Sequence, residues 1–134
     1  RTRQVLRRLL RLELSCDSLI SSPLIRARQT AELALQLGLG DTLNVRDELA
    51  PSQDPLPLLQ ELLAEEWKRV AIFGHEPDLS QLASHLLGCS TNSLQIKKAG
   101  VALVGVEPGV PQLEPGSGQL KLLLTPKVLL EGKE

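Results

Sequence analysis

Aromatic residues are nearly absent from this sequence, which has one tryptophan, one phenylalanine and no tyrosine among its 134 residues. A surface that binds nucleic acid by stacking bases on aromatic rings is therefore not expected. The net charge of −1 likewise offers no basic face for a nucleic acid or a membrane. The core must consist mainly of Leu, Val, Ile and Ala. A hydrophobic share of 42% is enough to build it in a single domain over residues 1–134.

Cysteine and histidine are also scarce. Cys16 and Cys89 lie far apart, without a CxxC pair or the spacing of zinc ligands, which indicates two reduced thiols in a cytoplasmic protein. No cluster of histidines or carboxylates predicts a metal site, and we expect no cofactor. No hydrophobic run approaches the length of a membrane span, and no signal-peptide pattern appears at the start. We therefore expect neither a membrane nor a nucleic acid as a partner.

The most informative stretch covers residues 21–31 and reads SSPLIRARQTA. It follows the short apolar run Leu19-Ile20, which is typical of the end of a buried strand, and it opens a helix. Its two serines are common N-cap residues, and its proline suits the first helical position. Arg26 would then lie in the first turn, where its charge opposes the helix dipole unless an anion lies between them. The stretch therefore indicates a phosphate-binding site, and an arginine that only faces solvent is the alternative interpretation. The predicted inward face of this helix consists of Leu24, Ala27, Ala31, Ala34 and Leu35.

A second candidate site residue follows the next apolar strand. The run Val70–Phe73 is apolar throughout, which predicts a central strand covered on both faces. It ends at Gly74-His75-Glu76-Pro77, and Asp78 is placed to cap a further helix. His75 thus follows the carboxyl end of a strand, which is where ligands bind in open α/β sheets. A histidine that only caps a loop is the alternative interpretation.

The remaining pattern alternates strands with helices and then becomes rich in strands. Helices are predicted over the first dozen residues and over residues 23–37, 55–67 and 78–87, and strands over residues 17–21, 42–45, 70–73, 94–97, 101–106 and 120–124. Residues 108–118 hold three prolines and three glycines, which predicts either a hairpin loop or a disordered excursion. Strands without intervening helices usually pair antiparallel. The sequence therefore predicts an α/β domain with a mixed sheet.

Both candidate stretches resemble known signatures. SSPLIRARQTA resembles the SSPLxRAxQTA signature of the histidine phosphatase superfamily, and GHEPDLS at residues 74–80 resembles the later GHxPxLS-like run of its SixA-type phosphohistidine phosphatases. Lys97-Lys98-Ala99-Gly100 is similar to the KKAG-like stretch of the same relatives. The resemblance implies a three-layer α/β/α sandwich with a mixed, mainly parallel central sheet, of the phosphoglycerate mutase-like type. It also implies that Arg26 clamps the transferred phosphoryl group and that His75 hydrogen-bonds its oxygens.

The function implied by this resemblance is hydrolysis of protein phosphohistidine in signal transduction, through a covalent phosphohistidine enzyme intermediate and without a metal. A phosphorylated phosphotransfer domain is then the expected substrate, and the short connection between Gly38 and Val70 leaves little chain for a lid over the site. A small-molecule phosphomonoesterase is the alternative enzyme. Glu48 lies near where such relatives carry a proton donor, although an exposed loop glutamate explains it equally well. A non-catalytic phosphoprotein-binding module is the third possibility.

The superfamily's first signature, Arg-His-Gly after the first strand, does not occur in these 134 residues. In the superfamily its histidine is the nucleophile and its arginine is a second phosphate clamp. The resemblance implies that this strand lies in the centre of the sheet. Its loss would expose two strand edges, so we expect the natural protein to contain it.

Overall fold

The structure is a computed structural model that describes residues 2–65, 68–107 and 113–130. Its helices are α1 (Thr2–Arg11), α2 (Ile25–Gln36), α3 (Leu56–Leu63), α4 (Asp78–Leu87) and α5 (Pro126–Leu130). Its strands are β1 (Ser18–Ser21), β2 (Leu43–Val45), β3 (Val70–Phe73), β4 (Val101–Val106) and β5 (Gly118–Leu124). The chain falls into two compact units, the first formed by Arg1–Pro55 and Glu66–His75, the second by Leu56–Glu65 and Glu76–Glu134. The single domain expected for residues 1–134 stays a prediction.

The sheet of the first unit is parallel, and β1 lies between β2 and β3. All four residues of β1 are buried, whereas those of β3 are half-buried. Among the described residues β3 pairs with β1 alone, and the prediction that Val70–Phe73 is a central strand covered on both faces stays a prediction. A continuous apolar run indicates a strand, but pairing decides the strand order. β1 can be central despite its two serines because Ser18 lies within hydrogen-bonding distance of Thr42 and Ser21 donates to the carbonyl of Ser22.

Helix α2 packs small side chains in the first unit and contacts all three strands of the sheet. Ala27, Ala31 and Ala34 are buried, as predicted. Leu24 and Leu35 were predicted on the same face, but they are 42% and 36% exposed, so that part of the prediction is wrong. Alanines alone allow the helix backbone to approach the sheet closely, and the longer leucines remain at the margin in contact with solvent.

One carboxylate fastens the amino ends of β1 and β3. Oδ2 of Asp17 accepts the backbone N–H groups of Lys68 and Arg69, at 2.5 and 2.9 Å. The Arg69 guanidinium donates in turn to the carbonyl oxygens of Glu13 and Ser15, at 3.1 and 2.9 Å. These two backbone hydrogen bonds hold the pKa of Asp17 below its usual value, and the bond from Arg69 has the larger effect. The polar groups at this edge therefore satisfy one another.

The second unit contains helices and an antiparallel pair, β4 with β5. Helix α4 begins at Asp78, so the prediction that Asp78 caps it is wrong. The carboxylate of Glu76 takes that role, because it accepts the backbone N–H of Ser80 at 3.0 Å and also its hydroxyl. The Ser80 hydroxyl oxygen then accepts the N–H of Ile96 at 2.9 Å. One buried serine thus connects the start of α4 to the segment before β4.

Several element boundaries in the second unit differ from the prediction. Residues 94–97 are not in a strand, although Leu94 is buried. α3 ends at Leu63, and Trp67, where its end was predicted, lies outside the described residues. Of the hairpin loop predicted over residues 108–118, residues 108–112 also lie outside the described part of the chain. Helix α5 was not predicted, because its five residues are too short for a periodic pattern.

The arrangement of a parallel sheet with helices confirms the predicted α/β class. Within residues 2–65, 68–107 and 113–130, no helix is both long and apolar enough to cross a membrane.

Candidate functional site

The turn between β1 and α2 is built by two fully buried serines. The N–H of Ser22 donates to the carbonyl of Phe73 at 2.8 Å, which extends the pairing with β3 by one residue. The hydroxyl oxygen of Ser22 then accepts the N–H of Leu24 at 3.2 Å. Because a proline disfavours helical geometry in the residue before it, Pro23 keeps Ser22 outside the helix.

Helix α2 consequently begins at Ile25, with Leu24 in extended geometry at the N-cap position. The predicted start, with Pro23 as the first helical residue, was two residues too early. The shift still leaves Arg26 in the first turn, as its second helical residue. No acidic residue lies in this turn, and the Arg26 side chain is exposed, without an ion pair to any described residue. An uncompensated cation thus lies beside the unpaired N–H groups that begin the helix.

His75 follows β3 and is half-buried. Its Nε2 lies 3.2 Å from the carbonyl oxygen of Leu49, which closes a 3-10 turn at Asp47–Leu49. A carbonyl oxygen can only accept, so this contact requires a proton on Nε2 and fixes the orientation of the ring. Leu49 is itself buried, and it was not predicted to contribute to the site. A backbone carbonyl leaves no sequence signal by which it could have been found.

Arg26 and His75 line one pocket within the first unit. The pocket has a volume of about 370 Å³ and lies beyond the carboxyl ends of the neighbouring parallel strands β1 and β3. It is lined by Pro23, Leu24, Ile25, Arg26, Ala27, Gly74 and His75. A guanidinium, an imidazole and the start of a helix form a set of groups that can hold a tetrahedral oxyanion. The sequence therefore identified two residues that share a pocket, and their binding of phosphate stays a prediction.

Glu48 is held in an ion pair with Arg46. The guanidinium of Arg46 donates from Nε to Oε1 of Glu48 at 3.2 Å and from Nη2 to Oε2 at 2.8 Å. This pairing lowers the pKa of Glu48, so its carboxyl is ionised at neutral pH. The N–H of Arg46 donates to the carbonyl of Ser21 at 2.9 Å, which attaches the segment to the end of β1. Arg46 was missed in the sequence, although an arginine two residues before a candidate acid could have suggested the pair.

The second histidine, His85, and the two cysteines make contacts of other kinds. In the second unit Nε2 of His85 lies 2.8 Å from the carbonyl oxygen of Leu113, so its ring contacts the backbone of its own unit. Both cysteines are free thiols, and burial raises the pKa of Cys16. Among the described residues no three His, Cys, Asp or Glu side chains are grouped as metal ligands. Metal independence stays a prediction.

The chain is similar to proteins of known sequence and of known structure. No protein-family model matches the chain. The uncharacterized protein SYNPCC7002_A2622 of Picosynechococcus sp. is 35% identical over 137 aligned residues, which cover 97% of this chain and 81% of that protein. The structure of the protein histidine phosphatase SixA complexed with tungstate is similar, with a TM-score of 0.80 and 23% identity over 94% of this chain and 79% of that chain. This likeness confirms the predicted phosphoglycerate mutase-like α/β fold.

Proposed function

Because the chain belongs to the same family as the uncharacterized Picosynechococcus protein and has a histidine phosphatase-like fold, we propose that it is a phosphatase acting on protein phosphohistidine. The observation that carries the proposal is the pocket that Arg26 and His75 share at the carboxyl ends of β1 and β3. Each of these residues comes from a stretch that resembles a superfamily signature, and the two stretches lie about fifty residues apart in the sequence.

Arg26 and His75 would act by holding the phosphoryl oxygens. The planar guanidinium of Arg26 can donate to two oxygens at once, which a lysine cannot do with the same geometry. His75 would donate from Nδ1 of a ring that carries a proton on both nitrogens, because the Leu49 carbonyl already accepts the Nε2 proton and fixes the ring orientation. Negative charge spreads over the three equatorial oxygens of a phosphoryl group during transfer, and both side chains would stabilise that charge.

The proposed reaction has two steps. A histidine nitrogen of the enzyme attacks phosphorus, the P–N bond to the substrate imidazole breaks, and the substrate nitrogen keeps the electron pair and takes up a proton from solvent. Water then attacks the phosphohistidine of the enzyme and releases orthophosphate. The resemblance assigns the attacking histidine to an Arg-His-Gly segment, which these 134 residues do not contain. We therefore propose hydrolysis for a polypeptide that carries such a segment.

The ion pair of Glu48 favours a phosphohistidine over a phosphomonoester substrate. An alkoxide is a poor leaving group and needs a proton donor, whereas an imidazole nitrogen leaves with less assistance. Glu48 is the acidic residue that the sequence suggested as a donor, but its carboxyl is ionised and accepts two hydrogen bonds from Arg46. We accordingly propose a phosphorylated phosphotransfer domain as the substrate, a cytoplasmic location, a role in signal transduction and no metal requirement.

A non-catalytic phosphoprotein-binding module is the second candidate, because the Arg26 and His75 pocket could bind a phosphorylated side chain without an attacking histidine. Such a module would use Arg26 and His75 to hold a phosphorylated side chain without hydrolysing it. Single-turnover measurements separate the two, because a binding module retains the phosphoprotein whereas the enzyme releases orthophosphate from it.

The test of the proposed substrate compares two classes under one set of conditions. We would measure kcat/KM of the full-length protein for a phosphotransfer domain that carries phosphohistidine, and for 3-phosphoglycerate and glucose 6-phosphate, each with and without EDTA. We expect the phosphotransfer domain to be preferred by at least about a hundredfold, because the P–N bond needs less barrier reduction. Equal values, or a preference for a phosphomonoester, would reject the proposed substrate, and loss of all activity in EDTA would reject metal independence.

A further inference from the structure

A side-chain bridge spans the short turn beside His75. Arg46 precedes the 3-10 turn Asp47–Leu49, and its guanidinium reaches forward to the carboxylate of Glu48. The two hydrogen bonds, from Nε to Oε1 at 3.2 Å and from Nη2 to Oε2 at 2.8 Å, engage both carboxylate oxygens. We call Arg46 and Glu48 the turn bridge. Because it joins residues so close in the sequence, the bridge restrains the backbone of the turn between them.

The backbone of the same turn is attached to its surroundings. The N–H of Arg46 donates to the carbonyl of Ser21, the last residue of β1. The N–H of Leu49 donates to the carbonyl of Arg46 at 3.2 Å, and the buried side chain of Leu49 anchors the end of the turn. The carbonyl of Leu49 is thereby held where it accepts the Nε2 proton of His75 at 3.2 Å. The bridge, the turn and the imidazole therefore form one connected set of contacts within the first unit.

The geometry of the turn bridge distinguishes it from an ordinary surface ion pair. Exposed ion pairs usually contribute little to stability, and the bridge is partly exposed, at 30% for Arg46 and 36% for Glu48. A planar guanidinium that engages both carboxylate oxygens, however, fixes the orientation of the two side chains as well as their distance. Orientation matters here because a hydrogen bond weakens steeply as its angle bends. Twisting of the turn would therefore weaken the hydrogen bond to His75.

The two neighbouring carboxylates of this turn differ in their contacts. The hydrogen bond from Arg46 lowers the pKa of Glu48, so its carboxyl holds no proton to donate at neutral pH. Asp47 is exposed, and its carboxylate makes no hydrogen bond or ion pair with a described residue. Glu48 therefore has a structural partner that Asp47 lacks among the described residues, and the pair offers a matched comparison.

We propose that Glu48 is a positioning residue for His75: through Arg46 and the Asp47–Leu49 turn, it holds the imidazole in the orientation that binds the anion. This inference rests on the proposed function, since it takes His75 as a phosphate-binding residue. Glu48 does not line the pocket, and in this role it transfers no proton. Loss of the turn bridge should therefore weaken anion binding by way of His75 alone.

The test uses Glu48→Gln and Arg46→Lys in the full-length protein, with Asp47→Asn as the matched control. Glutamine keeps the size of Glu48 but loses its charge and one acceptor oxygen, and lysine keeps the charge of Arg46 but loses the planar fork. We expect the dissociation constant of tungstate, measured by calorimetry, to rise about fivefold in both variants, the scale of coupling within one hydrogen-bonded network. Asp47→Asn removes the same charge one residue away and should change that constant less than about twofold. Tungstate has no leaving group, so its binding does not respond to the loss of a proton donor.

Two further measurements show whether the effect passes through His75. In a His75→Ala background, Glu48→Gln should change the tungstate dissociation constant less than about twofold. Carbon-13 relaxation of the histidine rings reports the ordering directly, and in Glu48→Gln we expect the order parameter of the His75 ring to fall from about 0.85 to below about 0.6. His85, whose Nε2 lies beside the Leu113 carbonyl in the second unit, is the internal control and should keep its order parameter.

Every other outcome overturns the positioning role. Equal losses in Glu48→Gln and Asp47→Asn would indicate a general effect of charge, and a loss that persists in His75→Ala would mean that Glu48 acts on the anion by another route. Lower stability toward denaturant with unchanged tungstate binding, or failure of both bridge variants to fold, would make the turn bridge purely structural. Unchanged tungstate binding with a loss of activity confined to 3-phosphoglycerate would assign proton donation to Glu48.

The ring measurement separates this inference from the proposed function. If His75 loses order and tungstate affinity falls in Glu48→Gln while the wild type hydrolyses no phosphohistidine, the positioning role stands and the proposed activity is rejected. If the wild type hydrolyses phosphohistidine and neither the ring order nor the tungstate affinity depends on Glu48, the positioning role alone is rejected.

Discussion

The two ends of the β1–β3 strand pair use charged groups in opposite ways. At the amino ends, the carboxylate of Asp17 and the guanidinium of Arg69 are hydrogen-bonded to backbone groups of the chain itself. At the carboxyl ends, the guanidinium of Arg26 is exposed without an ion pair among the described residues, and it shares a pocket with His75. The charged groups at the amino ends are hydrogen-bonded, whereas the Arg26 cation at the carboxyl ends is exposed.

This difference distinguishes charged side chains that stabilise the fold from charged side chains that act in the pocket. A charged group that satisfies backbone N–H or carbonyl groups contributes to folding, and its loss should reduce stability. A charged side chain that lines a pocket without such hydrogen bonds does not stabilise the fold. Its loss should instead reduce ligand binding or turnover. The comparison therefore predicts which substitutions affect activity and which affect unfolding.

The largest expected effect is that of Arg26→Lys on turnover. Lysine keeps the charge but cannot grip two oxygens in a planar fork, so we expect kcat/KM for the phosphotransfer domain to fall about a hundredfold or more. The thermal unfolding temperature should stay unchanged, because the Arg26 side chain makes no hydrogen bond or ion pair with a described residue. Arg28→Lys, at an exposed arginine two residues further along α2, is the matched control. Near-normal turnover in Arg26→Lys would make Arg26 an ordinary surface residue.

A smaller effect is expected from the buried turn that positions Arg26. Ser22→Ala leaves the N–H of Leu24 without its hydroxyl partner, and we expect a loss of about 1 kcal/mol in the free energy of unfolding. Chemical denaturation measures this loss. Ser84→Ala is the control, since Ser84 is also fully buried but its hydroxyl has no partner among the described residues. Removing that hydroxyl should cost little, so equal losses in the two variants would contradict the role given to Ser22.

The smallest effect is expected at the amino edge, where Asp17→Asn should lower the unfolding temperature without changing KM. The pKa of Asp17 is lowered in the folded protein, so its ionised form stabilises the fold above the pKa of the unfolded chain. This contribution is lost as the pH falls below about 4 and through the lowered folded value. The difference between wild type and variant should therefore be present at pH 7 and should vanish in acid. A difference that is constant with pH would contradict the account, and Asp41→Asn is the exposed control.

The elements that the sequence predicted well are those with a strong local pattern. Ala27, Ala31 and Ala34 recur at helical spacing, and the left-handed φ of +87° at Gly38 lies just beyond the end of α2, where the glycine predicted a stop. The strand order could not be predicted in the same way. β3 is more apolar than β1 yet less buried, because the identity of neighbouring strands depends on long-range pairing rather than on composition.

The candidate site was predictable only in part for the same reason. Arg26 and His75 each lie in a recognisable stretch directly after a strand, and parallel strands bring such stretches to one edge. The contact that orients His75 and the ion pair of Glu48 were not predictable. The Leu49 carbonyl beside His75 and the Arg46 partner of Glu48 both come from the segment after β2, whose approach to the pocket is a property of tertiary structure.

A double-mutant cycle for oxyanion binding tests the central claim, that Arg26 and His75 hold one anion, most directly. Tungstate is the probe, and its dissociation constant would be measured by calorimetry for the full-length wild type, Arg26→Gln, His75→Gln and the double variant. If both side chains hold the same anion, the double variant should bind at least about fivefold more tightly than the two single losses combined would predict, a coupling of about 1 kcal/mol. Single losses that simply add would mean that the two residues act independently, and this result would contradict the shared site.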